Sequence, residues 1–264
     1  GMIQFFFLFR IYTVHFFSEM NETALSQYRI RLICGSANTA LGDEIAKELG
    51  TKVEPMTVGR FADGEIKIQI DNNIRGSDVF VIQPTCAPNI NDHVVELLLL
   101  LQTLQLSSAK RITAVVPYFG YARQDRKTKA RVPISAAAIA TMIETMGAHR
   151  VLVVDLHCGQ IQGFFRNIPV DNLFAENEFI AKMEELNLDP KHIAMVSPDA
   201  GGVTRARRVA DKIGAASVVT ILKRRVVENQ VESMQLVGDV KGMTCFIIDD
   251  IIDTAGNIFK AASV

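Results

Sequence analysis

Residues 245–262 read CFIIDDIIDTAGNIFKAA. The four apolar residues at 245–248 suit a strand covered on both faces. Asp249 and Asp250 stand where that strand ends, and Asp253-Thr254-Ala255-Gly256 opens a helix. A strand that passes through a short polar turn into a helix is the repeating unit of α/β proteins. Working back toward the N-terminus, the same unit recurs. Strands are expected at 29–34 (RIRLIC), 79–83 (VFVIQ), 112–117, 151–156 (VLVVDL), 194–197 and 217–222. Helices are expected at 39–49, 92–106, 134–146 and 204–213, and the second of these is apolar on nearly every face, which predicts burial in the body of the protein. Parallel neighbours need a crossover, so strands alternating with helices favour mainly parallel sheets. Residues 65–70 (EIKIQI) alternate polar and apolar, the pattern of an antiparallel hairpin. The segment 226–240 (VVENQVESMQLVGDV) reads as a mobile loop or hairpin.

The chain of 264 residues is long enough for one large domain or two modest ones, and 48% hydrophobic with 22% charged residues is ordinary for a soluble protein. A net charge of −1 leaves no global basic field, so nucleic acid and acidic membranes are not expected partners. Anionic ligands have to be held by local Arg and Lys clusters. The four cysteines, Cys34, Cys86, Cys158 and Cys245, form no CxxC, and three sit in or beside apolar runs. Buried thiols in a reducing compartment, the cytoplasm, are the expectation. Residues 3–17 (IQFFFLFRIYTVHFF) are apolar but shorter than a membrane span, and they carry Arg10 and His15. With no basic region before and no cleavage signal after, they read as a leader foreign to the fold, and Met20 could open the chain. A split near residue 175 gives two domains. The helical pattern at 259–264 stops with no strand after it, so the second domain is expected to be incomplete.

The residues just past each strand carry the chemistry. One strand leads to Arg123-Gln124-Asp125-Arg126-Lys127 and another to His157. Further ones lead to Asp199-Ala200-Gly201-Gly202, to Lys223-Arg224-Arg225, and to Asp249-Asp250 with 253–257. Any one of these is an ordinary polar loop. Five together point to one carboxyl edge, where open α/β sheets bind ligands. In the last of them, backbone N–H groups of the turn and the Thr254 hydroxyl can cradle a phosphate monoester, while the two carboxylates accept hydrogen bonds from sugar hydroxyls. There is no Ser-His-Asp or Cys-His pattern and no G-x-x-x-x-G-K-[ST], so a covalent hydrolase and a P-loop kinase are both disfavoured.

Residues 245–262 resemble the phosphoribosyl-pyrophosphate loop of type I phosphoribosyltransferases and of ribose-phosphate pyrophosphokinases, and alone do not separate them. Six further segments resemble the pyrophosphokinases in order and spacing: GRFADGEIKIQI (59–70), RGSDVFVIQPTCAPNINDHVVELLLL (75–100), ITAVVPYFGYARQDRK (112–127), VDLHCGQIQGFF (154–165), SPDAGGVTRAR (197–207) and KRR (223–225). The resemblance covers 29–264. It implies an α/β fold of two tandem phosphoribosyltransferase-like domains, 29–174 and 175–264, with mainly parallel sheets, the second incomplete, after a leader at 1–28. It implies transfer of a diphosphate from ATP to the C1 hydroxyl of ribose 5-phosphate, with Mg²⁺ as cofactor. Arg123, Gln124 and Asp125 would contact ATP. Phe61, Asp63 and Glu65 would reach ATP held mainly by a neighbouring subunit, so a homo-oligomer, a hexamer-type assembly of dimers, is implied. His157 and Asp199 would bind Mg²⁺; on physical grounds the carboxylate is the more natural ligand. Lys223 and Arg225 would neutralise charge as AMP departs. Arg225, Asp249, Asp250, Asp253, Thr254, Ala255, Gly256 and Asn257 would hold ribose 5-phosphate. Asn257 stands where the family usually has Thr, which implies weaker or altered phosphate binding. The alternative is a non-catalytic paralogue that assembles with active subunits and regulates them. A phosphoribosyltransferase or related repressor would share only the 245–262 loop.

Overall fold

The computed structural model describes residues 30–224, 233–253 and 255–263. The leader expected at 1–28 lies outside them, as do Arg225 and Thr254. The chain divides into two compact units, one up to Ala175 and one from Glu176.

In the first unit, strands β1 (Ile30–Cys34), β4 (Asp78–Ile82), β5 (Arg111–Val116), β6 (Arg150–Val154) and β7 (Val170–Leu173) form a sheet in that order. Every neighbouring pair is parallel. Side chains alternate faces along a strand. Val79 and Val81 therefore join Ile33, Ile112, Ala114, Val151 and Val153 on one face, while Phe80 and Ile82 join Leu32, Val115 and Leu152 on the other. Helix α1 (Thr39–Glu48) covers the second face with Leu41 and Ile45. Helices α2 (Ile90–Leu106) and α3 (Ser135–Thr145) cover the first with Leu97, Leu100, Leu101, Leu104, Ile139 and Ile143. Each such buried Leu or Ile contributes about 1.5–3 kcal/mol of apolar transfer. The expectation that α2 is buried all round is corrected: Val95, Leu99 and Leu106 are exposed along its outer side, the last at 77%.

Strands β2 (Met56–Arg60) and β3 (Ile66–Ile70) form a separate antiparallel ribbon, as the alternation at 65–70 predicts. Its inward residues Met56, Ile68 and Ile70 pack on the core while the intervening ones face outward. The edge strand β7, whose sequence is VDNL, is too short and polar for a periodicity argument.

The second unit contains α4 (Glu176–Glu184), β8 (Ile193–Ser197), α5 (Val203–Ile213), β9 (Ser217–Arg224), β10 (Ser233–Val237), β11 (Thr244–Ile247) and α6 (Gly256–Ala262). Sheet order is β10-β9-β8-β11. β8 pairs parallel with both β9 and β11, and β10 turns back antiparallel on β9. Of the two readings for 226–240, the described part is thus the return strand of a hairpin. Met183 of α4 with Ala206, Val209 and Ala210 of α5 packs on Ile193 and Met195, while Val219, Ile221 and Ala261 lie with Val196 on the opposite face. Glu176 forms ion pairs with Arg208 Nε and Lys212 Nζ, each at 2.9 Å, which ties α4 to α5.

All four cysteines are free thiols; Cys34, Cys86 and Cys158 are half-buried and Cys245 is exposed. The expectation of buried thiols is thus met only in part, because Cys34 and Cys245 lie on the edge strands β1 and β11 and Cys86 and Cys158 lie in loops past β4 and β6. Among the described residues no helix is long and apolar enough to cross a membrane.

Candidate active site

The five polar loops belong to two sheets. The loops after β5 and β6 leave the carboxyl edge of the first unit's sheet, whereas those after β8, β9 and β11 leave the carboxyl edge of the second. The expectation of one shared edge is corrected to two, since the first unit's sheet ends at β7 and β8 starts another.

In the first unit, the Thr85 hydroxyl donates to Tyr118 O at 2.9 Å and accepts from Gly120 N–H at 2.7 Å. A Cβ at Gly120 would lie 2.6 Å from Thr85 O, so the loop can approach the β4 end this closely only with glycine there. The pinned loop then presents Arg123, which is exposed, and Gln124. Gln124 O accepts the Ala136 N–H at 3.2 Å and its Oε1 accepts the Ser135 hydroxyl, fixing it at the start of α3. Beyond it, Asp125 lies beside the Cys158 thiol, so the loops after β5 and β6 meet there, while the thiol itself donates to Gln160 Oε1 at 2.5 Å. Burial first, then this carboxylate, push the thiol up. His157, exposed, precedes Cys158 at the end of β6. That end is fixed by β7: Leu156 N–H donates to Asn172 Oδ1 at 3.1 Å, and Asp155 Oδ2 accepts the Ala175 N–H at 2.8 Å. Arg123, Gln124, Asp125 and His157 therefore share one sheet edge.

Phe61, Asp63 and Glu65 lie elsewhere, at the tip of the β2–β3 ribbon. Phe61 N–H bonds Glu65 O at 2.9 Å, and Asp63 Oδ1 accepts the Glu65 N–H at 3.1 Å. The Phe61 ring is 52% exposed, with Lys67 Nζ 5.8 Å from its centroid. Arg60 anchors the ribbon through Asp92 Oδ2 on α2 at 2.6 Å and bonds Gly64 O across the tip at 2.9 Å. An exposed aromatic on a braced turn is suited to stacking on a planar ligand.

In the second unit the carboxylates converge. Asp199, exposed after β8, accepts the Gly201 and Gly202 N–H groups on Oδ1 at 2.9 and 3.0 Å, and the buried Ser197 hydroxyl donates to its carbonyl at 2.6 Å. Beside β8, Ile248 N–H donates to Val196 O at 3.0 Å, extending the β11 pairing to the acidic pair. Asp249 Oδ1 accepts the Asp250 N–H at 3.0 Å. Desolvation, the hydrogen bond and charge of Asp250, and the charge of Asp199 push the Asp249 carboxyl up to about 6. Asp250 Oδ1 is 3.3 Å from Arg205 Nη1, with the two side chains only 9% and 15% exposed. Arg205, in the 197–207 segment, escaped sequence reasoning because a helical arginine carries no signal of the strand end it reaches. Asp253 is exposed, Ala255 takes a left-handed conformation at φ 59, and Gly256 starts α6, which includes Asn257. Lys223 is a backbone position in β9 facing Met234 of β10.

Among the described residues no group of three or more His, Cys, Asp or Glu side chains is arranged to hold a metal ion.

Residues 30–147 match the family model for the N-terminal domain of ribose phosphate pyrophosphokinase, and 169–263 match that for the phosphoribosyl transferase domain. The chain is 50% identical over 234 residues to a ribose-phosphate pyrophosphokinase of Helicobacter hepaticus, covering 89% of this chain and 74% of that protein. It is 48% identical over 234 residues to the protein of that name from Vibrio cholerae, covering 88% and 73%. The crystal structure of phosphoribosylpyrophosphate synthetase from Mycobacterium smegmatis superposes with a TM-score of 0.82 at 42% identity, covering 89% of this chain and 75% of that one.

Proposed function

The chain belongs to the ribose-phosphate pyrophosphokinase family, and from that premise we infer a division of labour in which each loop has one task in diphosphoryl transfer from ATP to ribose 5-phosphate. The observation that carries the assignment is the carboxylate pair Asp249–Asp250, held at the end of β11 directly before the turn at 253–256. Carboxylates accept from the ribose hydroxyls, and the backbone N–H groups of the turn, with Thr254 and Asn257, receive the 5-phosphate. Arg225 adds a cation on the same substrate.

Arg123 and Gln124 orient ATP, with Asp125 continuing the same loop beside the Cys158 thiol. The ribbon tip with Phe61, Asp63 and Glu65 is offered to ATP in a neighbouring copy of the chain, so a homo-oligomer of the hexamer type is part of the proposal. Asp199 and His157 would each offer a ligand to Mg²⁺, which when bound would draw charge from the phosphate oxygens. The C1 hydroxyl oxygen forms a bond to the β-phosphorus while the bond from that phosphorus to the α–β bridging oxygen breaks. AMP leaves with the bridging oxygen and the hydroxyl proton passes to solvent. Lys223 and Arg225 neutralise charge on the departing side, the electrostatic contribution that dominates such transfers. No protein nucleophile is needed; orientation supplies the rest. The product serves nucleotide biosynthesis. We place the protein in the cytoplasm, and the domain boundary expected at 174/175 one residue later, between Ala175 and Glu176.

The regulatory-paralogue reading is not favoured by relatives named as the enzyme. AMP formation dependent on both ATP and ribose 5-phosphate tests the assignment. Lys223→Ala abolishes it with the far-ultraviolet dichroism unchanged; full activity in that variant removes Lys223 from its role. Sedimentation of the chain as a monomer at micromolar concentration would remove the shared-subunit role of Phe61.

A further inference from the structure

Three carboxylates, Asp199, Asp249 and Asp250, gather at the ends of β8 and β11, an arrangement opposed by both desolvation and like-charge repulsion. Arg205 sits in the first turn of α5, just after the Asp199 loop, and reaches across to Asp250 Oδ1 at 3.3 Å. Both side chains are largely buried, at 15% and 9% exposure, so water screens their attraction weakly. A planar guanidinium fixed on one carboxylate oxygen restricts the rotation of the group and decides which oxygen it turns outward. The backbone N–H of Asp250 in turn donates to Asp249 Oδ1 at 3.0 Å, so both carboxylates are tied to the same short stretch of chain.

We propose that Arg205 is a positioning residue for ribose 5-phosphate, which it never touches: its guanidinium fixes Asp250, and through Asp250 the pair that accepts the sugar hydroxyls. The inference rests on the reading of Asp249 and Asp250 as the ribose clamp, and the test separates the two. An arginine that merely tied α5 to the β11 loop would change stability and leave sugar affinity alone.

The experiment measures the affinities of the full chain for ribose 5-phosphate and for MgATP, separately, by calorimetry. Wild type, Arg205→Lys, Arg205→Gln, Asp250→Asn and the Gln/Asn double variant are compared, with Tm recorded for each. Loss of one charge-assisted hydrogen bond predicts ribose 5-phosphate affinity lowered about tenfold or more in Arg205→Gln. Lysine keeps the charge without the fork, so Arg205→Lys falls between, at about threefold. The double variant is no worse than Asp250→Asn, because the two residues act as one unit. MgATP affinity stays within about twofold in all of them. If Arg205→Gln does not fold, the lysine variant decides: a threefold loss at unchanged Tm and unchanged MgATP affinity supports the role, and wild-type affinity overturns it. Weak sugar binding in Asp250→Asn with wild-type binding in Arg205→Gln overturns the inference and leaves the clamp standing. Wild-type binding in Asp250→Asn, or no sugar binding by the wild type, overturns the clamp itself.

Discussion

Asp249→Asn should stabilise the protein near neutrality while weakening its hold on the sugar. Desolvation, the Asp250 carboxylate and the charge of Asp199 push the Asp249 carboxyl from its ordinary 3.8 up to about 6. The unfolded chain releases this proton near 3.8, and the folded chain holds it until about 6. Between those values the native state binds more protons than the unfolded one, so stability falls as pH rises through the window. Below it neither state is charged and the cost is absent; above it both are charged and the cost is complete. For a fully sealed group the difference would amount to about 3 kcal/mol. Asp249 is only half-buried, and solvent screening reduces this to about 1–2 kcal/mol. Asparagine has nearly the same shape, and its Oδ1 can still accept the Asp250 N–H, so the substitution removes the charge and little else. Thermal melts followed by circular dichroism from pH 4 to 8 should show the variant ahead by roughly 3–8 °C at pH 7, with the lead shrinking toward pH 4. Curves that run parallel across this range, or a variant that melts lower at pH 7, would refute the idea that Asp249 carries a buried-charge cost.

Other substitutions probe the scaffold. Gly35→Ala would bring a Cβ to 2.2 Å from Gln83 Oε1 and 2.8 Å from Glu96 Oε1, both on fully buried side chains. Those same groups accept the Ala37 and Ser36 N–H bonds, so a loss of about 1–3 kcal/mol is expected in urea denaturation. Arg111→Met removes the cation facing buried Asp78 in register across β4 and β5, with Nε–Oδ1 at 3.0 Å. Chemical denaturation should report a loss of roughly 2–3 kcal/mol, which Asp78→Asn in the same chain partly recovers. Glu144 accepts the Arg166 and Asn167 N–H bonds, which hold its carboxyl below the ordinary 4.5. That stability is present above 4.5 and lost as pH falls below it, so Glu144→Gln should flatten the acid side of the stability profile in an acid titration followed by circular dichroism.

The central strands were legible because a strand buried on two faces needs an unbroken apolar run, as in DVFVI of β4 and RITAVV of β5. The ribbon was legible for the opposite reason, through the alternation of IKIQI. β7 and α4 were not, since VDNL and ENEFIAKME carry few apolar residues and depend on tertiary partners such as β6 and Lys212. The polar loops were visible from Arg123, His157, Asp199 and Asp249, each placed just past an apolar run. Their sorting into two sheets was not, because strand order depends on crossovers that no single strand encodes. Arg205 became informative only through what it touches, Asp250.

The β2–β3 ribbon hydrogen bonds within itself and belongs to neither parallel sheet. One side grips the body through Met56, Ile68 and Ile70, while the turn carrying Phe61 projects past that grip. Such an outrigger lets substitutions accumulate at the tip while folding continues undisturbed. On the role proposed for Phe61 in a neighbouring copy, contact with ligand and structural integrity fall to different stretches of the same short hairpin.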